Sequence, residues 1–261
     1  MSDAGAPSGA TVAAPFEAIT GETYFKRIMQ RECNRRARAH FLELALQLVP
    51  PGALLFDFGC GPGIDARFYA ERGYTVAAYD VDPKMCEFCS GHCRDHIDAG
   101  RVRLEVGEYR QFLAGRAAST AGRVDLVVSN FAPLNQIDDL GELFEKFHAL
   151  THPGGKVFVS VLSPYFVRDA RRLWWWRSVP LLWRRGERFF PGGRAPPHYR
   201  RTLSNLAASS LPYFKLVRVF RGLPPRLGRQ ARGIDVSGGL GSAWLRLATS
   251  EFMFLLFHRD R

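Results

Sequence analysis

Short apolar runs alternate with segments of helical periodicity along residues 54–162. The apolar runs predict five strands: the run that begins at Leu54, then 75–79, 102–106, 124–129 and 156–162. The segments between them predict helices over 64–72, 83–97 and 138–151. A short apolar strand bounded by glycine, as the first one is, is typical of a sheet covered on both faces. The alternation therefore predicts an α/β fold built on a doubly wound parallel sheet.

The two ends of the chain carry weaker patterns. Residues 23–49 place apolar groups at helical spacing until Pro50 and Pro51 stop the pattern, which predicts one or two helices before the sheet. Beyond residue 162, the pattern predicts a helix over 200–210 and strands over 214–220 and 250–257. Residues 1–15 are rich in Ala, Gly, Ser and Pro, and we expect a disordered tail there, followed by one domain over 16–261.

Composition narrows the class of protein. Apolar residues make up 46% of the 261, and no run approaches the ~20 apolar residues of a membrane span, so we expect a cytoplasmic protein without a transmembrane segment. The five cysteines are an odd number, which is typical of free thiols. Cys86 and Cys93 would lie about 10 Å apart on one helix, too far to share a tetrahedral ion, so we expect no metal site.

The positive charge of the chain is concentrated in its last third. Residues 1–164 hold 17 Lys or Arg against 20 Asp or Glu, whereas residues 165–261 hold 19 against 5, a net charge of +14. Such asymmetry indicates that the second part meets an anionic partner or surface.

A glycine loop follows the first predicted strand. Asp57 ends the strand, and Gly59, Gly61 and Gly63 follow at every second position. Glycines permit backbone dihedrals closed to other residues and let a ligand approach the chain. A second acid, Asp80, ends the next strand about 20 residues later, which is the spacing at which a βαβ nucleotide site places a carboxylate on ribose hydroxyls.

These residues resemble the class I S-adenosylmethionine (SAM) dependent methyltransferases, whose first strand ends in D-x-G-x-G-x-G and whose second ends in an acid. The resemblance implies SAM as the cofactor and a Rossmann-like, mostly parallel seven-stranded sheet with an antiparallel final hairpin. It implies cofactor contacts at Asp57, Gly59, Gly61, Gly63, Asp80, Val81, Glu108, Tyr109 and Asn130. Glu108 would meet the adenine, although the family more often has Asp there.

The loop after the fourth strand reads S-N-F-A-P-L-N, from Ser129 to Asn135. It resembles the S-N-F-G-A-L-N form of small-molecule methyltransferases, and it lacks the proline that follows the polar residue in enzymes that methylate nucleic-acid bases. Asn130 is therefore a candidate for holding the acceptor as well as the cofactor. A hydroxyl or ammonium acceptor also needs a base. We consider His198, His148, His152 and Tyr24, and we favour His198.

Residues 165–197 form an insertion that the resemblance does not explain. If the segment from Tyr165 is one helix, Phe166, Val167 and Trp174 share a face, and arginines lie opposite. Three interpretations stay open: a helix docked on the sheet, a lid over the substrate, or a surface that contacts a membrane through residues 165–190.

Several functions follow from this sequence. The first is transfer of a methyl group from SAM to a small-molecule acceptor of acidic or lipid-like character. The second is a nucleic-acid-directed methyltransferase whose basic region binds phosphates. The loop after the fourth strand does not favour this second function. A third is a lipid or quinone methyltransferase at a membrane surface, and the last is a non-catalytic SAM-binding module.

Overall fold

The computed structural model of the protein describes residues 20–115, 120–192, 197–222, 233–235 and 247–259. The predicted tail over residues 1–15 lies outside the described residues. Within the described part, the helices are α1 (Gly21–Gln30), α2 (Glu32–Leu46), α3 (Ile64–Ala70), α4 (Pro83–His92), α5 (Arg94–Asp98), α6 (Tyr109–Ala114), α7 (Leu140–Leu150), α8 (Leu173–Arg177), α9 (Val179–Arg185) and α10 (Leu203–Ser210). The strands are β1 (Leu54–Phe58), β2 (Thr75–Asp80), β3 (Val102–Val106), β4 (Val124–Ser129), β5 (Thr151–Leu162), β6 (Glu187–Phe190), β7 (His198–Arg201), β8 (Phe214–Arg221), β9 (Ile234–Asp235) and β10 (Phe252–Arg259).

The main sheet has the strand order β3-β2-β1-β4-β5-β10-β8-β9. Strands β1 to β5 are parallel, and β10 runs antiparallel between β5 and β8. The predicted α/β fold and its antiparallel final strands are confirmed. The count of seven is wrong, because the two-residue strand β9 pairs with β8 and makes eight among the described residues. A two-residue strand carries no periodicity that a sequence pattern can show.

Helices cover both faces of the sheet and produce two cores. One core lies under α7 and α10, and its members include Phe144, Phe147 and Leu206. The other lies under α2 and α3, where Phe41 stacks on Phe158 with 4.5 Å between ring centroids. Because the parallel strands are buried on both faces, ligands can reach the sheet only at an edge.

Two predicted helices differ in the structure, and one helix was not predicted. The predicted helix over 83–97 breaks at Cys93, whose thiol turns to the carbonyl of Gly63 at 3.5 Å. The predicted start at residue 200 is wrong, because Thr202 caps α10 by accepting from Asn205 N at 3.2 Å and leaves Arg200 and Arg201 in β7. Helix α6 was not predicted.

The insertion is not one helix. It forms a 3-10 turn over Val167–Arg171, then α8, α9 and β6, and β6 pairs with β7, which follows the insertion. Arg172 has an extended backbone, and Pro180 lies in the first turn of α9, so the helical path is interrupted twice. None of the helices in the part of the chain that the structure describes is long and apolar enough to cross a bilayer.

Candidate active site

The glycine loop lies at the carboxyl edge of the sheet, and its three glycines are needed for different reasons. A Cβ on Gly59 would lie 2.5 Å from Cγ of Pro133, and a Cβ on Gly63 would lie 2.5 Å from Sγ of Cys89. A Cβ on Gly61 would face open space and meet only Cε1 of Tyr24, at 3.9 Å. All three residues have positive φ. Gly59 and Gly63 therefore allow close packing, and Gly61 leaves room for a ligand.

Asp80 joins the glycine loop to the end of β2. Its Oδ2 accepts a hydrogen bond from Gly61 N at 2.7 Å, and its Oδ1 accepts one from Asp82 N at 2.9 Å. Burial raises the pKa of the Asp80 carboxyl above its ordinary value. Each carboxylate oxygen has a second lone pair, so Asp80 can still accept bonds from two hydroxyl groups.

Two exposed valines lie beside Asp80. Val81 is 55% exposed and Val106 is 57% exposed, and Val106 is paired with Asp80 across β2 and β3. Glu108, also exposed, follows at the start of α6. An apolar surface next to two carboxylates fits a purine and its ribose. Val106 was missed at the sequence level, because a valine that ends a strand is expected to be core.

Tyr109 points away from this surface. Its ring lies among the core residues Phe58 and Phe112, with centroid distances of 6.4 and 6.5 Å. The ring of Tyr109 is therefore not placed to contact a ligand at the edge of the sheet. A cofactor contact through the backbone of Tyr109 stays a prediction.

A buried polar network underlies the site, and sequence reasoning missed most of it. Arg38 of α2 forms an ion pair with Asp65 of α3, and both side chains are at least 90% buried. Asp65 also accepts a hydrogen bond from Asn130 Nδ2 at 2.9 Å, and the guanidinium of Arg38 lies 4.4 Å from the ring centroid of Phe131. The network fixes α2 and the loop after β4 to the glycine-loop helix.

Asp57 lies next to this network without a partner for one oxygen. The residue is 2% exposed, and its Oδ2 is buried without a hydrogen bond. Burial and the nearby Asp65 charge raise the pKa of the Asp57 carboxyl well above its ordinary value of 3.8, and Arg38 only partly opposes them. A buried acid without a partner is unfavourable for folding. The predicted cofactor contact of Asp57 stays a prediction.

We expect Asp57→Asn to stabilise the ligand-free protein by about 1 to 3 kcal/mol at neutral pH, because the variant removes a buried charge. The pKa of Asp57 is higher in the folded protein than in the unfolded chain, so its carboxyl destabilises the fold at pH values above the folded-state pKa. This destabilisation decreases as the pH falls towards the ordinary value of 3.8. The stabilisation by Asp57→Asn should therefore decrease as the pH is lowered from 8 to 5. Urea unfolding at each pH measures it. A destabilised variant at pH 8 would contradict this account of Asp57.

The loop after β4 is held in an unusual conformation. Phe131 and Ala132 have φ angles of 62° and 68°, in the left-handed region that non-glycine residues rarely adopt. Asn130 supports the loop, because its Oδ1 accepts from Phe131 N at 2.9 Å. Such backbone strain persists where the surroundings enforce it, and it is concentrated at functional sites.

Of the candidate bases, Tyr24 and His198 lie on the site side. Burial, helped by the charges of Asp80 and Asp65, raises the pKa of the Tyr24 phenol, which therefore stays protonated at neutral pH. His198 is buried in β7, where its Nε2 accepts from Arg200 Nε at 3.4 Å. The next residue, Tyr199, accepts a hydrogen bond from Asn135 through its carbonyl, so β7 is attached to the loop after β4.

His148 and His152 lie elsewhere. His152 is the second residue of β5 and contacts Asp125 Oδ1 at 3.1 Å, at the amino-terminal edge of the sheet. His148 lies near the end of α7, against Tyr213, with 5.2 Å between ring centroids. The geometry therefore excludes both from the carboxyl edge.

The chain is similar to known methyltransferases in sequence. The family described as "Methyltransferase domain" matches residues 25–210. The ubiquinone biosynthesis O-methyltransferase of Azotobacter vinelandii is 30% identical over 155 residues, which are 58% of this chain and 62% of that protein. The malonyl-(acyl-carrier protein) O-methyltransferase of Serratia marcescens is 24% identical over 163 residues, which are 62% of this chain and 57% of that protein. The chain thus spans little more than half the length of these curated relatives.

Solved structures show the same fold. A putative SAM-dependent methyltransferase from Listeria monocytogenes aligns over 88% of this chain and 100% of its own, with a TM-score of 0.60 and 16% identity. The 1,6-didemethyltoxoflavin-N1-methyltransferase of Burkholderia thailandensis, solved with S-adenosylhomocysteine (SAH) bound, aligns over 96% and 94%, with a TM-score of 0.57 and 18% identity. The glycine loop, the acid that ends β2, the strand order and the match over residues 25–210 establish that this chain belongs to the class I SAM-dependent methyltransferases.

Proposed function

We propose that the protein transfers a methyl group from SAM to an oxygen atom of a small-molecule acceptor. The observation that carries the proposal is the strained loop at Phe131 and Ala132, which begins where β4 ends and is held by Asn130. The names of two relatives, both O-methyltransferases, support oxygen as the atom that receives the methyl group. The cytoplasmic location stays a prediction.

The residues of the site fit SAM. Asp80 would accept the ribose hydroxyls, and Val81 and Val106 would pack on the adenine. The space in front of Gly61 would admit the amino-acid part of SAM. SAM supplies a methyl group on a positively charged sulfur, so the protein need only align the acceptor.

The roles of the remaining residues follow from their positions. The protonated phenol of Tyr24 can donate a hydrogen bond, which suits a residue that positions a ligand rather than a base. His198 Nε2 accepts from Arg200 Nε at 3.4 Å, and its strand is attached to the loop after β4 through Asn135 and Tyr199. We therefore assign the proton removal to His198 and the positioning of the acceptor to the loop that begins at Asn130.

The buried arginines of β6 and β7 do not provide an anion site for the acceptor. Arg200 pairs with Asp169 at 2.6 Å, and Arg201 donates to the carbonyls of Ile137 and Asp138 at 2.8 and 2.7 Å. Arg188 donates to the carbonyl of Pro164 at 2.9 Å. These guanidinium groups are therefore engaged by the protein itself and are not open to an acidic acceptor.

The test is methyl transfer from labelled SAM to a panel of a catechol, an alkyl carboxylate, an amine and an RNA oligonucleotide. We expect label on oxygen, in the catechol or the carboxylate. In His198→Ala, kcat should fall roughly 100-fold or more, the lower range for a lost general base, with the KM for SAM unchanged. His152→Ala, at the opposite edge, is the matched control. Label only in the amine or RNA, or an unchanged kcat in His198→Ala, would contradict the corresponding assignment.

A further inference from the structure

The insertion exposes several large apolar side chains. Trp183 is 85% exposed, Leu173 is 63% exposed and Trp176 is 59% exposed. Val167 is 53% exposed on the turn that precedes them. We call the exposed residues of 167–185 the insertion surface. Large apolar side chains concentrated in fewer than twenty residues mark an interaction site rather than the scattered exposure that is normal for a protein surface.

The exposed side chains belong to a segment that is packed against the rest of the protein. Trp174 packs on Phe190, with 5.3 Å between ring centroids, and Trp175 lies under the guanidinium of Arg188 at 3.9 Å. Even Trp176, whose ring is exposed, donates its indole N–H to Ala170 O at 2.8 Å. The segment is therefore attached to the protein through Trp174 and Trp175, and it leaves the rings of Trp176 and Trp183 exposed.

The insertion surface is also cationic. Residues 165–192 contain seven arginines and two acids, Asp169 and Glu187. Both acids are at least 88% buried, and they pair with arginines of β7: Asp169 with Arg200 at 2.6 Å and Glu187 with Arg201 at 3.5 Å. No acid is therefore exposed in this segment, whereas Arg168, Arg171, Arg172, Arg177, Arg184 and Arg185 all are.

We propose that the insertion surface docks the protein on an anionic lipid bilayer. Tryptophan favours the boundary between apolar and aqueous phases, and arginine can keep its charge at the headgroups while its stem lies on apolar material. Amphipathic helices that carry both residue types lie in the plane of the interface. Exposed Leu173 and Val167 favour lipid over nucleic acid, because phosphates and base edges offer little to aliphatic groups.

The position of the surface adds to this inference. The insertion starts at the carboxyl end of β5, the edge of the sheet that also holds Asp80 and Asn130. Docking through it would bring the entrance of the site to the membrane. The inference does not depend on the proposed reaction, because vesicle binding is measured without SAM or acceptor.

The test uses the full chain with vesicles of phosphatidylcholine alone or with 30% phosphatidylglycerol, a composition on the order used to mimic anionic leaflets. Four of the five tryptophans lie in the insertion, so their fluorescence reports on it directly. We expect sedimentation with the anionic vesicles and a blue shift of the emission, both reduced by salt because the headgroup attraction is screened.

Two variants identify the surface. Arg184→Gln/Arg185→Gln should weaken partitioning roughly 25-fold, because each arginine near an anionic surface contributes a factor of about five. Trp183→Ala should weaken it by on the order of tenfold. The matched control is Arg36→Gln/Arg94→Gln, which removes two exposed arginines from α2 and α5 and should change partitioning by about twofold or less. Unchanged circular dichroism and SAH binding would show that the variants are folded.

Three results would overturn the proposal. The first is no binding to anionic vesicles at low salt, and the second is an equal loss in the control variant. The third is insertion-dependent binding to a single-stranded RNA without vesicle binding, which would assign the surface to nucleic acid.

Discussion

Asp80→Ala is expected to weaken the binding of SAM and SAH by at least roughly 100-fold. The carboxylate at the end of β2 is placed to accept two ribose hydroxyls, and a hydrogen bond to a charged group contributes about 1.5 to 3 kcal/mol. The substitution also removes the acceptor of Gly61 N, which holds the glycine loop, at 2.7 Å. Isothermal titration calorimetry with SAH measures the loss directly.

A matched control separates cofactor binding from loop stability. Asp139 accepts from the backbone N–H groups of Gly141 and Glu142 at 2.7 and 3.3 Å, much as Asp80 accepts from those of Gly61 and Asp82. Asp139→Ala should therefore lower stability by about 1 kcal/mol, as a lost helix cap does, and leave the SAH affinity unchanged. If Asp80→Ala is folded and binds SAH like the native protein, the assignment of the ribose site is wrong.

The parts of the fold that were predictable carry local signals. The strand that begins at Leu54 and the acid at position 80 lie within one βαβ unit, so apolar runs, glycines and spacing are sufficient to predict them. SAM dependence and the α/β class follow from the same residues and are confirmed by the family match and the sheet order.

The parts that were not predictable depend on contacts between distant residues. Arg38 and Asp65 are 27 residues apart, and on the sequence each is an ordinary charge on a helix. The three glycines of one motif acquire different roles only because Pro133 and Cys89 lie against two of them. Similarly, the sequence pattern of the insertion does not indicate that Arg200 and Arg201 of β7 form ion pairs with its acids.

The ion pair of Arg38 and Asp65 leads to the largest expected effect on stability. Arg38→Met should lower the free energy of unfolding by about 3 to 5 kcal/mol, because it leaves Asp65 charged and buried without its cation. In a chain of this size the melting temperature should fall by roughly 10 °C or more. Lys26→Met on α1 breaks an ion pair of 2.6 Å whose side chains are 64% and 60% exposed, and as the control it should change stability by less than about 1 kcal/mol.

A second substitution distinguishes the charge from the packing. In Arg38→Met/Asp65→Leu the uncompensated carboxylate is gone, so thermal unfolding should show at least about half of the lost stability restored. Methyl transfer by the double variant should be lower than in the native protein, because Asn130 loses the oxygen that binds its Nδ2 at 2.9 Å and Phe131 loses the guanidinium over its ring. Restored stability with low activity would show that the network positions the loop after β4. A double variant as unstable as Arg38→Met would instead show that the arginine acts through its packing.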